Sequence, residues 1–176
     1  MYTSADLAYY NQGDNLTYSI ASSVDTSIES VLFPVMSSLQ DDRAQVKNMT
    51  RRSIKTCTYI IAPVMMSIAF CAEPLVRLIL TEKWLPCVLF LRVFCLGYAC
   101  WPIITANMNA AKAVGRSDLY LKCQLLNEGV CILLLLATFR VSVEAIAYGM
   151  LITNVVTQIL DAQLNKKLIG YGYLEQ

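Results

Sequence analysis

The sequence predicts an all-α fold: a polytopic transmembrane helical bundle of about five spans plus a short interfacial helix. Three observations predict it. Apolar residues make up 56% of the 176 residues and charged residues only 15%, against about 45–50% and about 25% in an ordinary soluble domain. Long apolar stretches recur along the chain, and the segments joining them are alternately rich and poor in Lys and Arg. A soluble core in a chain this short needs polar cover, so lipid accounts better for the apolar excess.

The basic residues also orient the bundle. Arg43, Lys47, Arg51, Arg52 and Lys55 follow the first stretch, Lys112, Arg116 and Lys122 the third, and Lys166 and Lys167 the fifth. The second and fourth connections hold only Arg77, Lys83 and Arg140. Lys and Arg near span ends resist translocation, which predicts an N-terminus outside and a C-terminus in the cytoplasm. Residues 1–15 lack the basic and apolar regions of a secretory signal. Starting outside with neither a signal nor a preceding span leads to the expectation that the sequence is truncated at its N-terminus.

Span A, 16–39, is interrupted by Ser, Thr, Asp25 and Glu29, yet Leu16, Ile20, Val24, Ile28, Val31, Leu32, Val35 and Leu39 recur every three or four residues as one apolar stripe. A soluble amphipathic helix has the same pattern. Spans B, 54–72, and C, 87–105 or slightly beyond, each approach the roughly 20 residues that cross about 30 Å of hydrocarbon. Between them 74–84 is too short to cross and suits a helix along the outer interface, with Pro74 in its first turn and Trp84 at headgroup level. Span D, 119–139, follows a break at Gly115, with Ser117 or Asp118 as its cap. Span E, 143–164, follows after a short turn that makes the two antiparallel neighbours.

Net charge is +1, so no global field points to nucleic acid as a partner. The seven cysteines lie in or at the ends of apolar stretches without a CxxC pair, and there is no histidine. Zinc sites and disulfide frameworks are therefore not expected, and no cofactor is implied.

Polar residues inside the spans form stripes. Ser22, Asp25, Thr26 and Glu29 share a face of A; Gln124, Asn127, Glu128 and Cys131 share one of D; Asn154, Thr157, Gln158 and Asp161 share one of E. Polar groups are costly against lipid, so the stripes are expected to face one another or a water-filled passage. Asp25 and Glu29, one turn apart, could hold a cation or raise each other's proton affinity. Glu128 is the carboxylate placed deepest along its span, and with Asp161 these are the candidate cavity or ion-coupling residues. Helix-to-helix hydrogen bonding is the plainer account of each. Arg92, five residues into span C, can snorkel to the headgroups, and Arg51 and Arg52 in the basic connection can contact headgroups or a pyrophosphate. Pro34, Pro63 and Pro102 lie well inside spans; such prolines suit transporters with kinked helices, and are also common in membrane helices generally.

Several stretches resemble a known family. They are Leu7-Ala8-Tyr9-Tyr10-Asn11-Gln12-Gly13, Val31-Leu32-Phe33-Pro34-Val35-Met36-Ser37, Ala72-Glu73-Pro74-Leu75-Val76, Thr81-Glu82-Lys83-Trp84 and Ala113-Val114-Gly115-Arg116-Ser117-Asp118. In this order over almost the whole chain, they are similar to bacterial polysaccharide, O-antigen and exopolysaccharide flippases of the multidrug/oligosaccharidyl-lipid/polysaccharide exporter superfamily. Gln12 stands where many relatives carry Arg, so no role is carried to that position. The family motifs are turns and helix ends that name no catalytic residue.

The resemblance implies two six-helix lobes around a cavity, with residues 1–176 as a partial C-terminal lobe and its spans as the last five of twelve. It implies alternating-access transport of a polyprenyl-pyrophosphate-linked oligosaccharide across the bacterial inner membrane, coupled to a proton or sodium gradient, rather than enzymatic chemistry. Its implied partners are the lipid bilayer, the lipid-linked oligosaccharide, the missing N-terminal lobe and other polysaccharide assembly proteins. A multidrug or cation antiporter of the same superfamily is the nearest alternative. A membrane enzyme of polyprenyl-linked glycan assembly is a more distant one, since no acid/base or metal-binding grouping appears in the connections.

Overall fold

The structure is a computed structural model that describes residues 4–39, 42–115, 117–138 and 143–171. Helices α1 (Ser4–Ser38), α2 (Arg43–Phe70), α3 (Ala72–Ile79), α4 (Cys87–Ala99), α5 (Trp101–Ala113), α6 (Ser117–Thr138) and α7 (Val143–Ile169) follow in order, with a 3-10 turn at Glu82–Trp84 between α3 and α4. No strand occurs among the described residues. The expected all-α polytopic bundle is therefore observed. Among the described residues four helical segments, Arg43–Phe70, Cys87–Ala113, Asp118–Thr138 and Val143–Lys166, are long and apolar enough to cross a membrane. α1 is not among them, but it packs along α4 and α5 and so shares their depth.

The helices overrun the spans read from hydropathy. Span A starts twelve residues earlier, at Ser4, and span B eleven earlier, at Arg43. The basic connection carrying Arg43, Arg51 and Arg52 is thus the first turns of α2. Its start is held by Asp42, whose Oδ1 accepts from the Ala44 and Gln45 backbone N–H groups at 3.0 and 3.1 Å. These bonds, with a further one from the Gln45 side chain, hold the Asp42 carboxyl below its ordinary value of 3.8. Lys112, Lys122 and Lys166 likewise lie within helices. A charged helical turn continues the backbone hydrogen bonding of an apolar one, so hydropathy marks where lipid ends and not where the helix does.

Span C is two helices. α4 stops at Ala99, and α5 begins at Trp101 with Pro102 in its first turn. Proline has no N–H to continue the α4 ladder, and its ring crowds the preceding turn. Pro34 and Pro63, by contrast, lie inside continuous α1 and α2. α5 closes on Gly115, whose φ of 72° suits glycine. The expectations for Arg116, Phe139 and Arg140, and for the side chains of Ser117 and Lys167, fall outside the described residues.

The apolar stripe of α1 turns inward only in part: Leu32 is buried and Leu16, Val24, Ile28 and Leu39 pack at the edges of the apolar clusters, whereas Ile20 and Val31 are exposed. Beside Leu32, the buried positions of α1 are Gly13, Thr17, Ala21 and Met36, three of them small and none of them in the stripe. Lipid is as apolar as a protein core, so large aliphatic residues gain little by turning inward, while small residues let helices approach. At Gly13 an added Cβ would stand 3.0 Å from the Leu91 N and the Phe90 Cβ. α1 and α4 are in backbone contact there, and Tyr98 of α4 donates to Asp14 Oδ1 of α1 at 2.7 Å.

Two apolar clusters stack along the bundle. One gathers Ala21, Ile61, Met65, Val76, Phe94 and Ala147; the other gathers Leu32, Ile54, Ala106, Ala110 and Leu164. On α1, α2 and α7, the residues separating the two clusters include the polar ones.

Candidate functional site

The candidate site is this polar layer between two apolar clusters. α1 contributes Asp25 and Glu29 between Ala21 and Leu32; α2 contributes Thr58 between Ile54 and Ile61. α5 contributes Thr105, at the edge of the second cluster, and α7 contributes Asn154, Gln158 and Asp161 between Ala147 and Leu164. Each helix places a short polar run at about the same level.

The α1 carboxylates meet α5. Thr105 of α5 lies beside the Asp25 carboxylate, and Lys112 Nζ lies 3.3 Å from Glu29 Oε1. The expected cation beside this acidic pair is thus supplied, at Glu29, by the protein's own lysine. Lys112 also lies 5.6 Å from the centre of the Tyr120 ring of α6. Asp25 keeps one oxygen, Oδ1, buried without a hydrogen-bond partner, as does the Thr58 hydroxyl. Asn109 shares the α5 face of Thr105 and Lys112, at four- and three-residue spacings. It is fully buried, and neither atom of its amide has a partner.

A second group lies on the other side of α5. Asn127 of α6 lies beside the Asp161 carboxylate of α7; both side chains are buried, and Asn127 Oδ1 and Asp161 Oδ2 have no hydrogen-bond partner. Gln158 is buried one turn before Asp161. Asn165 donates its amide to both the Asn107 carbonyl at 3.1 Å and the Asn107 Oδ1 at 2.8 Å. Asn154 packs against Gly97, where an added Cβ would come within 3.0 Å of its amide.

The three expected stripes are therefore brought together only in part. Asn127 meets Asp161, as facing stripes on α6 and α7 require. Asp25 and Glu29 find their partners on α5 instead. Glu128 is exposed on α6 and accepts from Gln124 at 3.3 Å, so it points away from buried Asn127 beside it. Ser22 and Thr26 bond back to the Ser19 and Ser22 carbonyls of their own helix. Arg51 and Arg52 are exposed on α2. Arg92 is exposed on α4 and donates its Nε to the Ala69 carbonyl, near the end of α2, at 3.2 Å.

Sequence reasoning missed Asn107, Asn109, Asn165 and the reach of Lys112. Ending span C near 105 and span E at 164 set all four at or beyond the span ends. The signal that would have found them is the small, helix-compatible run Ala106-Asn107-Met108-Asn109-Ala110-Ala111, which has no turn residue to stop the helix before Gly115.

Residues 1–89 match the family described as polysaccharide biosynthesis protein. Over 96 residues the chain is 31% identical to a Klebsiella pneumoniae protein described as an uncharacterized membrane protein in the cps region; the match covers 52% of this chain and 20% of that relative. No solved structure matches. The matched half holds α1, α2, α3 and the start of α4, and with them the Asp25–Glu29 side of the polar layer, so the chain belongs to the polysaccharide biosynthesis protein family of membrane proteins.

Proposed function

We propose that the chain forms part of the C-terminal lobe of an alternating-access exporter, which moves a polyprenyl-pyrophosphate-linked oligosaccharide from the cytoplasmic to the outer leaflet of the bacterial inner membrane. Family membership supports a role in polysaccharide synthesis or export. The observation that carries the finer reading is the polar layer at mid-bundle, with unpartnered oxygens on Asp25, Thr58 and Asp161 and an unpartnered amide on Asn109. Polar atoms at membrane depth are costly, and leaving them unsatisfied is compatible with a passage that takes up water, ions or sugar hydroxyls during a cycle.

The ion-coupling step falls to Asp25 and Glu29. A proton or sodium ion arriving at Glu29 competes with Lys112 and loosens the tie between α1 and α5 below the break at Cys100. That break gives α5 freedom to tilt against α4, the kind of discontinuity that moving helices use. The lipid tail stays in the bilayer while sugars and pyrophosphate pass the polar layer. Membership of a family in polysaccharide synthesis or export, together with the unpartnered polar layer, favours transport over catalysis.

The test uses the intact exporter in cells that make the polysaccharide. Asp25→Asn, Glu29→Gln and Asp161→Asn should each lower the amount of lipid-linked oligosaccharide reaching the outer leaflet, with accumulation on the inner side. Undiminished export in all three sinks the coupling role. Normal glycan export together with lost efflux of a cationic dye would assign the layer to a drug antiporter.

A further inference from the structure

At the far end of the bundle from Lys112, α2 finishes and α4 begins, and between them runs a groove of about 450 Å³ lined by Met66, Ala69, Phe70, Arg92 and Leu96. Its apolar walls are open: Met66 is 43%, Phe70 80% and Leu96 49% exposed. One cation stands in it. Arg92 lies five residues into α4, about 7.5 Å along its axis, and spends one of its five N–H donors, Nε, on the Ala69 carbonyl. That bond suits the negative end of α2. It also holds the guanidinium in place, leaving the four N–H groups of the two Nη atoms without a hydrogen bond or ion pair to any described residue.

A held but unpaired guanidinium at this depth calls for an anion, and its planar fork fits two oxygens of a phosphate. The apolar groove adjoining it calls for a hydrocarbon chain, which the flexible Met66 side chain can accommodate. We propose that this groove binds an anionic phospholipid of the leaflet where α2 ends, its phosphate on the Arg92 Nη atoms and an acyl chain along Met66 and Leu96. Charge complementarity selects this occupant: a single cation at one end of an apolar trough mirrors an amphiphile with one anionic end. The inference needs only the membrane location of the chain and stands apart from the export reading.

The experiment is native mass spectrometry of the detergent-purified protein with dioleoyl phosphatidylglycerol. Retention should exceed that of the zwitterionic choline lipid and fall about tenfold in Arg92→Gln, the scale of a lost hydrogen bond to a charged group. Arg92→Lys, which keeps the charge, should retain an intermediate amount. Leu96→Trp, which fills the trough and leaves Arg92 untouched, should also weaken retention, and inorganic phosphate should not displace the lipid. Equal retention by wild type and Arg92→Gln, or full displacement by inorganic phosphate, overturns the proposal. A photo-crosslinker at Leu96 that captures polypeptide rather than lipid in membranes would likewise overturn it.

Discussion

Asn165 joins α7 to α5 through a single amide group. Its two bonds to Asn107 lie in a fully buried setting, where the alternative to pairing is a polar atom facing hydrocarbon. Interhelical hydrogen bonds of this kind are worth about 1–2 kcal/mol in model systems and somewhat less in whole membrane proteins. Asn165→Leu should therefore lower the unfolding temperature in detergent by an amount corresponding to about 1 kcal/mol. Asn165→Leu in an Asn107→Ala background should cost less than it does alone, because the two residues share the interaction. Thermal melts of the four-variant cycle check this, and equal costs in both backgrounds would remove the contact from the account. Such pairs cannot be recognised from spacing alone: Asn154, Asn165 and Glu128 all read as polar positions on or beside a span, and only one of them meets an asparagine across a helix boundary.

At the scale of helices, close approach matters more than apolar content. Gly13 lets α1 sit against the α4 backbone, and Gly129 of α6 has no neighbour within 4 Å of an added Cβ. Gly13→Ala should destabilise the bundle by about 1–3 kcal/mol, the usual cost of forcing a methyl into packed structure. Gly129→Ala should be neutral or stabilising by up to about 1 kcal/mol through helix propensity. Urea or thermal unfolding of the two variants side by side checks the contrast; equal effects would mean that α1 does not press on α4 at Gly13. The break at Cys100 follows the same logic of backbone over side chain. Pro102 alone signals a disturbance, but three prolines lie in spans and only this one separates two helices, since Pro34 and Pro63 are accommodated inside theirs.

For the whole molecule, we propose from the alternation of basic residues that α2 starts in the cytoplasm and ends outside near Cys71. Cys71 is exposed, whereas Cys87 is fully buried and Cys57 buried within α2. A membrane-impermeant maleimide on intact cells should therefore modify Cys71 and spare Cys87. An introduced cysteine at exposed Arg51 should react only after permeabilisation. Reaction of Arg51→Cys in intact cells, with Cys71 protected, would reverse the orientation. Topology and accessibility are separate matters here: Cys71 and Cys87 share the same end of the bundle, and packing makes one reachable and the other not.

What the sequence by itself determined is membrane crossing, the helical class and the order of the elements. These follow from composition, from basic residues at span ends and from the backbone's need to satisfy its own hydrogen bonds in lipid, all of which are local properties of the chain. Only the tertiary structure decided that Gly13 presses α1 against the α4 backbone, that Lys112 reaches Glu29, and that Asn107, Asn109 and Asn165 are buried in the bundle. Inside lipid an apolar side chain gains little by choosing protein over hydrocarbon, so the closest contacts are set by small residues and by polar partners on distant helices, which the periodicity of one helix does not name.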